Sequence, residues 1–229
     1  MQHRVVMSPS GAEFEDLADR LLRRRSGDTA RVVVGVVGVP GAGKSTFTEA
    51  LDRTLGSVAA SVPMDGYHLA DVELERLGLR DRKGAPETFD AYGYVALLAR
   101  IRARPAHVVY APGFERELEQ PIAGAIPIGP EPDVVITEGN YLLLDRPEWR
   151  DVRSCLDEVW FVHTDDETRM RRLVDRHVRF GKSPEFATRW VERVDAPNAR
   201  MIQETRDKAD VLVDLTSWQG GEGKSEIHS

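Results

Sequence analysis

Arg31 to Thr46 reads RVVVGVVGVPGAGKST, and this stretch decides the fold. Its first half is a valine run, the composition of a strand buried on both faces. From Gly38 the pattern becomes GxxxxGK[ST], with glycines at 38, 41 and 43 followed by Lys44 and Ser45. Glycines let the backbone curl so that N–H groups converge on phosphate oxygens, the lysine brings a point charge to the outer phosphates, and the serine hydroxyl can ligate magnesium. A helix expected from about Lys44 to Leu55 adds the positive end of its dipole. A mere strand-to-helix turn does not call for Lys and Ser at those positions. The expected nucleotide contacts are Gly38, Pro40, Gly41, Ala42, Gly43, Lys44, Ser45 and Thr46.

Outward from this loop, short apolar or β-branched runs recur at Ser57 to Pro63, Ala106 to Tyr110, Asp133 to Thr137, Leu156 to His163 and Ala209 to Leu215. Helical patterns separate most of them, which predicts an α/β fold: a parallel sheet with helices on both faces. Residues 30–216 form the expected domain. Residues 1–29 read as a helical extension, opened by a capping pattern at Ser10 and Glu13, and residues 217–229 as a disordered tail. Between Arg80 and Glu131 prolines and polar clusters surround one clear helix, Ala91 to Arg104, capped by Asp90; these are the expected substrate-facing loops.

The chain has 229 residues, with 31 Lys and Arg against 38 Asp and Glu, a net charge of −7 that argues against a nucleic-acid binder. The single cysteine, Cys155, excludes an internal disulfide framework and reads as a buried small hydrophobe. The six histidines show no zinc-type spacing. No apolar run approaches the ~20 residues of a membrane span, and residues 1–10 hold no signal core, so a cytoplasmic location without membrane contact is expected.

Two carboxylates stand at the C-terminal ends of expected strands, where ligands bind in such sheets. Glu138 closes Val134-Val135-Ile136-Thr137 and is placed for a magnesium shell with Ser45. Asp65, in Met64-Asp65-Gly66-Tyr67-His68, is the candidate general base for a substrate hydroxyl, and Gly66 permits close approach. Farther on, Thr164 and Glu167 form a capping box; Gly181 closes that helix, and Ser183 with Pro184 opens the next. On this helix Arg169, Arg172, Arg176 and Arg179 fall within an arc of about 80°, opposite Met170, Leu173, Val174 and Val178, the pattern of a phosphate-facing lid helix. Arg172 and Arg176 are its catalytic candidates.

The segments GVPGAGKST, MDGYHL, KGAPETFDAYGY, APGFERELEQPIAGA, ITEGNYLLL, RRLVDRHVRFG and DAPNARMI together resemble the P-loop nucleoside/nucleotide kinase family, the pantothenate kinase, uridine kinase and phosphoribulokinase group. The nearer likeness is to bacterial members of uridine kinase-like or fructose-transport-system kinase type, over about Arg31 to Leu215. The resemblance implies a P-loop sheet with a helical lid, Mg-ATP, and transfer of the terminal phosphate to a hydroxyl of a small molecule. By position it makes Asp65 the catalytic aspartate, Glu138 the metal-associated carboxylate, Arg172 and Arg176 the lid arginines, and places Asn198 near the adenine. Phe114-Glu115-Arg116 departs from uridine kinases in the acceptor region, which leaves nucleoside, sugar and pantothenate-like acceptors open. Tyr67, His68, Arg82, Lys83, Tyr92, Phe114 and Arg116, with Asp65, are the acceptor-pocket candidates.

Two rival readings follow from the same loop: a nucleoside monophosphate kinase, which needs no hydroxyl base, and an ATP-binding regulatory module. ATP and a small hydroxyl compound are the expected partners, and a homodimer is compatible with the sequence.

Overall fold

The computed structural model describes residues 5–7, 11–24 and 31–218. In chain order the elements are β1 (Val5–Met7), α1 (Gly11–Arg23), β2 (Val32–Val37), α2 (Lys44–Leu55), β3 (Ala59–Pro63), α3 (Asp71–Leu77), α4 (Ala91–Arg102), β4 (Val109–Glu115), β5 (Gln120–Ile128), β6 (Val134–Gly139), β7 (Glu158–His163), α5 (Asp166–Arg179), α6 (Pro184–Trp190), α7 (Ala196–Gln203) and β8 (Val211–Asp214). Six strands form one sheet in the order β1-β8-β7-β2-β6-β3, and every pairing is parallel. β2 is buried along its whole length, as a central strand covered on both faces must be.

The register of the sheet sets the chemistry at its C-terminal edge. Glu138 lies level with Val36 of β2 on one side and with Pro63 of β3 on the other. The phosphate loop leaves β2 just beyond Val36, and Asp65 follows just beyond Pro63. Three short stretches distant in sequence thus meet at one place. Behind them the buried Tyr94 hydroxyl of α4 hydrogen-bonds Thr137 Oγ1, which donates to the Val62 carbonyl, tying α4, β6 and β3 together.

Residues read from sequence as an N-terminal extension contribute the edge strand β1 and the helix α1, whose Leu17 and Leu21 are fully buried. Arg20 and Arg24 pair with Glu158, a carboxylate with no exposure at the head of β7. Ser10 of the expected capping pattern and the tail 219–229 lie outside the described residues.

The stretch expected as loops holds instead a second, two-stranded sheet. β4 and β5 pair antiparallel, with a register shift between Ala111 and Gly113. The Ala106 to Tyr110 run therefore does not supply a strand of the parallel sheet; its strand begins at Val109 and belongs to the hairpin. Pro112, Pro121 and Pro127 hide the strands from a sequence reading, and β5 is mostly exposed, so it lacks the apolar signature of a core strand. One helix start also shifts: Asp165, not Thr164, caps α5, its side chain accepting from Thr168 N at 2.8 Å. Thr164 is buried behind it.

Arg31, 2% exposed, holds the lower edge of the domain. Its guanidinium donates to three carbonyls, Ile101 at 3.1 Å, Gly129 at 2.7 Å and Pro132 at 2.9 Å, clamping the end of α4 to the turn between β5 and β6. Arg31→Met should cost about 2–4 kcal/mol, because three covered acceptors lose a charged donor. Urea unfolding of the variant checks this; an unchanged midpoint would show that the clamp carries no stability.

Candidate active site

Gly41 and Gly43 adopt φ of 81° and 94°, a region side-chain-bearing residues avoid, and this bends the chain from β2 into α2. Lys44 folds back beneath the loop. Its ammonium donates to the carbonyls of Gly38 at 3.0 Å and Val39 at 3.4 Å and to Asn140 Oδ1 at 2.7 Å. Ser45 Oγ donates to Glu138 Oε1 at 2.8 Å. Burial is the largest influence on both charged groups: it lowers the Lys44 pKa against the pull of Glu138 and Asp65, and raises that of Glu138 against Lys44, with Asp65 adding to the rise.

Asp65 sits on a 3-10 turn, Met64–Tyr67, that continues β3. Its Oδ2 lies 3.8 Å from Arg116 Nη2. The small size of Gly66 serves the hairpin rather than a ligand: a Cβ there would lie 2.2 Å from the Pro112 carbonyl oxygen of β4. The turn carrying Asp65 is thereby seated directly on the hairpin.

A cavity of about 570 Å³ opens in front of Lys44, Ser45, Asp65 and Glu138. Four sequence candidates, His68, Lys83, Phe114 and Arg116, line it. His68 lies between the rings of Phe89 at 4.0 Å and Phe114 at 4.8 Å. Its Nδ1 donates to the Asp65 carbonyl at 2.8 Å, and burial, outweighing Asp65, lowers its pKa. A neutral ring so held keeps Nε2 as a hydrogen-bond acceptor. Lys83 is buried, its ammonium bound to Asp71 Oδ1 at 2.7 Å and to the Glu119 carbonyl.

Tyr67, Arg82 and Tyr92 are not brought to the cavity. Tyr67 packs against the core, its ring 5.4 Å from that of Tyr94. Arg82 turns outward to Glu87, and Tyr92 on the outer face of α4 is 66% exposed. Asn198 lines the cavity beside the loop that holds Lys83, its Nδ2 3.4 Å from the Gly84 carbonyl.

The arginine stripe of α5 divides. Arg176 lines the cavity, and Arg172 reaches back over the phosphate loop, its Nη1 3.5 Å from where a Cβ on Gly43 would stand. Arg169 does not face solvent with them but is 8% exposed, packed with Leu173 against Gly41. Gly41 lacks the side chain that would keep α5 at a distance. Arg179 stays exposed outside the cavity. Sequence reasoning missed Asn140, which followed the noticed Glu138 by two positions, and the lid residues His177, Lys182, Trp190 and Asp195; His177 and Asp195 stood inside quoted segments but were not singled out, and Lys182 and Trp190 lay outside them.

Comparison with known proteins gives the family and the fold. A Schizosaccharomyces pombe protein provisionally named a uridine kinase is 30% identical over 225 residues, covering 91% of this chain and 93% of its own. The chain belongs to the P-loop nucleoside/nucleotide kinase family. The solved structure of a Silicibacter sp. TM1040 protein, provisionally named a fructose transport system kinase, matches this P-loop kinase with 38% identity and a TM-score of 0.79, over 87% of this chain and 98% of the other. The Saccharomyces cerevisiae protein YFH7, with a circular permutation, shares the fold at 20% identity and a TM-score of 0.75, over 89% and 98% of the two chains. The family of the methylmalonyl Co-A mutase-associated GTPase MeaB matches residues 5–64, the segment around the phosphate loop. Among the described residues of the kinase no helix is long and apolar enough to cross a membrane.

Gly66→Ala should push the Asp65 turn away from β4 while leaving the phosphate loop in place. The expected result is a loss of turnover of about tenfold or more with nucleotide affinity retained, since small misplacements of catalytic groups are costly. Steady-state kinetics beside ADP titration separates the two; equal turnover would mean that the hairpin contact does not position Asp65.

Proposed function

We propose that this P-loop kinase transfers the terminal phosphate of Mg-ATP to a hydroxyl group of a small molecule held in the cavity, with Asp65 as the base. The observation that carries the reading is the position of Asp65: it lines one cavity together with Lys44, Ser45 and Glu138 and with His68, whose ring hydrogen-bonds the Asp65 carbonyl, and Phe114. The acceptor hydroxyl gives its proton to Asp65 as its oxygen bonds to the terminal phosphorus and the bond to the departing ADP breaks.

In this reading the loop from Gly38 through Pro40, Gly41, Ala42 and Gly43 to Ser45 and Thr46 cradles the phosphates with backbone N–H groups, and Lys44 supplies charge at the terminal one. Arg172 and Arg176 bring guanidinium charge to the transferring group from the lid. The donor set at Ser45 and Glu138, a hydroxyl hydrogen-bonded to a carboxylate, offers hard oxygen ligands and fits magnesium, which is held largely by substrate phosphates and water. When bound, the ion supplies neutralisation of phosphate charge. His68 Nε2, Lys83, Phe114 and Arg116 form the acceptor wall, Asn198 is kept for the adenine side, and the names of the relatives put nucleosides and sugars among the candidate acceptors. A carboxylate in the acceptor's path disfavours an acceptor phosphate by like-charge repulsion, which weighs against a nucleoside monophosphate kinase.

Asp65→Asn preserves shape and removes the proton acceptor. Turnover should fall by roughly 10²- to 10⁴-fold while Mg-ATP still raises the melting temperature; Lys44→Ala should lose that thermal shift. A rate for Asp65→Asn within a fewfold of the parent would defeat the hydroxyl-kinase reading.

A further inference from the structure

Opposite the hairpin wall, the lid presents a chain of polar contacts that phosphate binding and the base leave unused. Lys182 Nζ lies 2.9 Å from His177 Nδ1, and His177 Nε2 lies 2.9 Å from Asp195 Oδ2. The ammonium can only donate, so Nδ1 accepts, the ring proton is on Nε2, and it goes to Asp195. The ammonium also lies 4.6 Å from the centre of the Trp190 ring, which stacks on Phe186. All five residues line the same cavity as Asp65.

Asp195 owes its position to a helical irregularity. α6 and α7 are joined through one π-helical turn, Val191–Asp195, with Pro197 in the first turn of α7. Proline lacks the N–H and crowds the carbonyl four residues back, and a widened turn relieves both. Asp195 and Asn198 thereby both reach the cavity.

Among the described residues Lys182 lacks the direct ion pair that its cationic neighbours have. Lys83 is bound to Asp71, Arg80 to Asp71 at 2.6 Å, and Arg193 meets Asp81 at 3.4 Å. Among the described residues Lys182 has no carboxylate partner: its contacts are an imidazole nitrogen and an aromatic face. Burial is the main influence on the ammonium and lowers its pKa, against Glu119 and Asp195. A half-buried cation on neutral partners is stabilised by an incoming anion.

That anion is taken as one distinct from the transferring phosphate, because the two lysines are held by different parts of the cavity wall: Lys182 by His177 and the Trp190 ring of the lid, Lys44 by the Gly38 and Val39 carbonyls and Asn140 under the phosphate loop.

We propose that Lys182 recognises an anionic group, a carboxylate or a phosphate, on the acceptor, and that Asp195 acts through His177 to position it. The inference rests on the kinase reading above and narrows it: the acceptor is an acidic hydroxyl compound, a hydroxy acid or a sugar phosphate, rather than a neutral nucleoside or sugar. Because Lys182 is already held by His177 and Trp190, little side-chain freedom is lost on binding.

Matched pairs test this with two readouts. Glycerate, pantothenate and fructose 1-phosphate are each set beside the neutral glycerol, pantothenyl alcohol and fructose. With Mg-ADP filling the phosphate loop, thermal shift measures acceptor binding whether or not phosphate is transferred; with Mg-ATP, ADP release measures turnover. At least one acid should stabilise the kinase while its neutral partner does not, and the pair that responds tells carboxylate from phosphate. Lys182→Met should reduce that preference by about 10- to 100-fold, the worth of a charge-assisted hydrogen bond, with the KM for ATP held, and Lys182→Arg should recover part of it. Asp195→Asn should raise the acid's KM more than it lowers kcat. Preference for the neutral member of every pair, or an acid preference intact in Lys182→Met, would overturn the assignment. Acid-selective stabilisation without ADP release would uphold it and reject the kinase reading instead.

Discussion

The site is organised around a half-buried charge, the Lys44 ammonium, held under the phosphate loop by two loop carbonyls and Asn140 and faced by Glu138 and Asp65. Burial works against it and against Glu138, and the attraction between them offsets only part of that cost. Such an arrangement is poised for a ligand that brings phosphate charge to the lysine and a cation to the carboxylate. The parallel register of β2, β6 and β3 is what lets three short segments share this point, and the Tyr94, Thr137 and Val62 hydrogen bonds hold that register from behind.

Around this fixed centre the other two walls are built differently. The hairpin wall is locked, with Gly66 against Pro112, His68 between two rings and Lys83 buried in its ion pair. The lid wall is more exposed. Val178 of α5, Phe180 just after it and Phe186 of α6 remain 39%, 38% and 42% exposed, so apolar surface is available for a bound molecule to cover. In the proposed reaction, closure of the lid over both substrates would cover this surface and exclude water.

The phosphate loop, Glu138 and Asp65 were legible in the sequence because each lies where a local pattern, a valine strand followed by a glycine turn or a carboxylate, reports its surroundings directly. The helix starts at Asp90 and Ser183 were legible for the same reason. The hairpin was not, since its prolines and exposed strand positions imitate loops. Helical spacing placed Arg169 with Arg172 and Arg176, but contact with Gly41 across the domain turns it inward, and no periodicity carries that information. Tyr92 and Arg82 were credited to the pocket for their chemistry, while their elements present them to solvent. The contact of His177 with Asp195 involves the π-helical turn that carries Asp195, an irregularity hidden in an ordinary-looking helical sequence.

In the proposed reaction the phosphate moves to a hydroxyl, and Asp65 takes the proton. The most direct measurement is the phosphorus NMR spectrum and mass of the product formed from Mg-ATP and the acceptor the kinase turns over. A phosphomonoester resonance, coupled to carbon-bound hydrogens and formed in equal amount with ADP, is the predicted result. A new diphosphate anhydride, or inorganic phosphate alone, would contradict it.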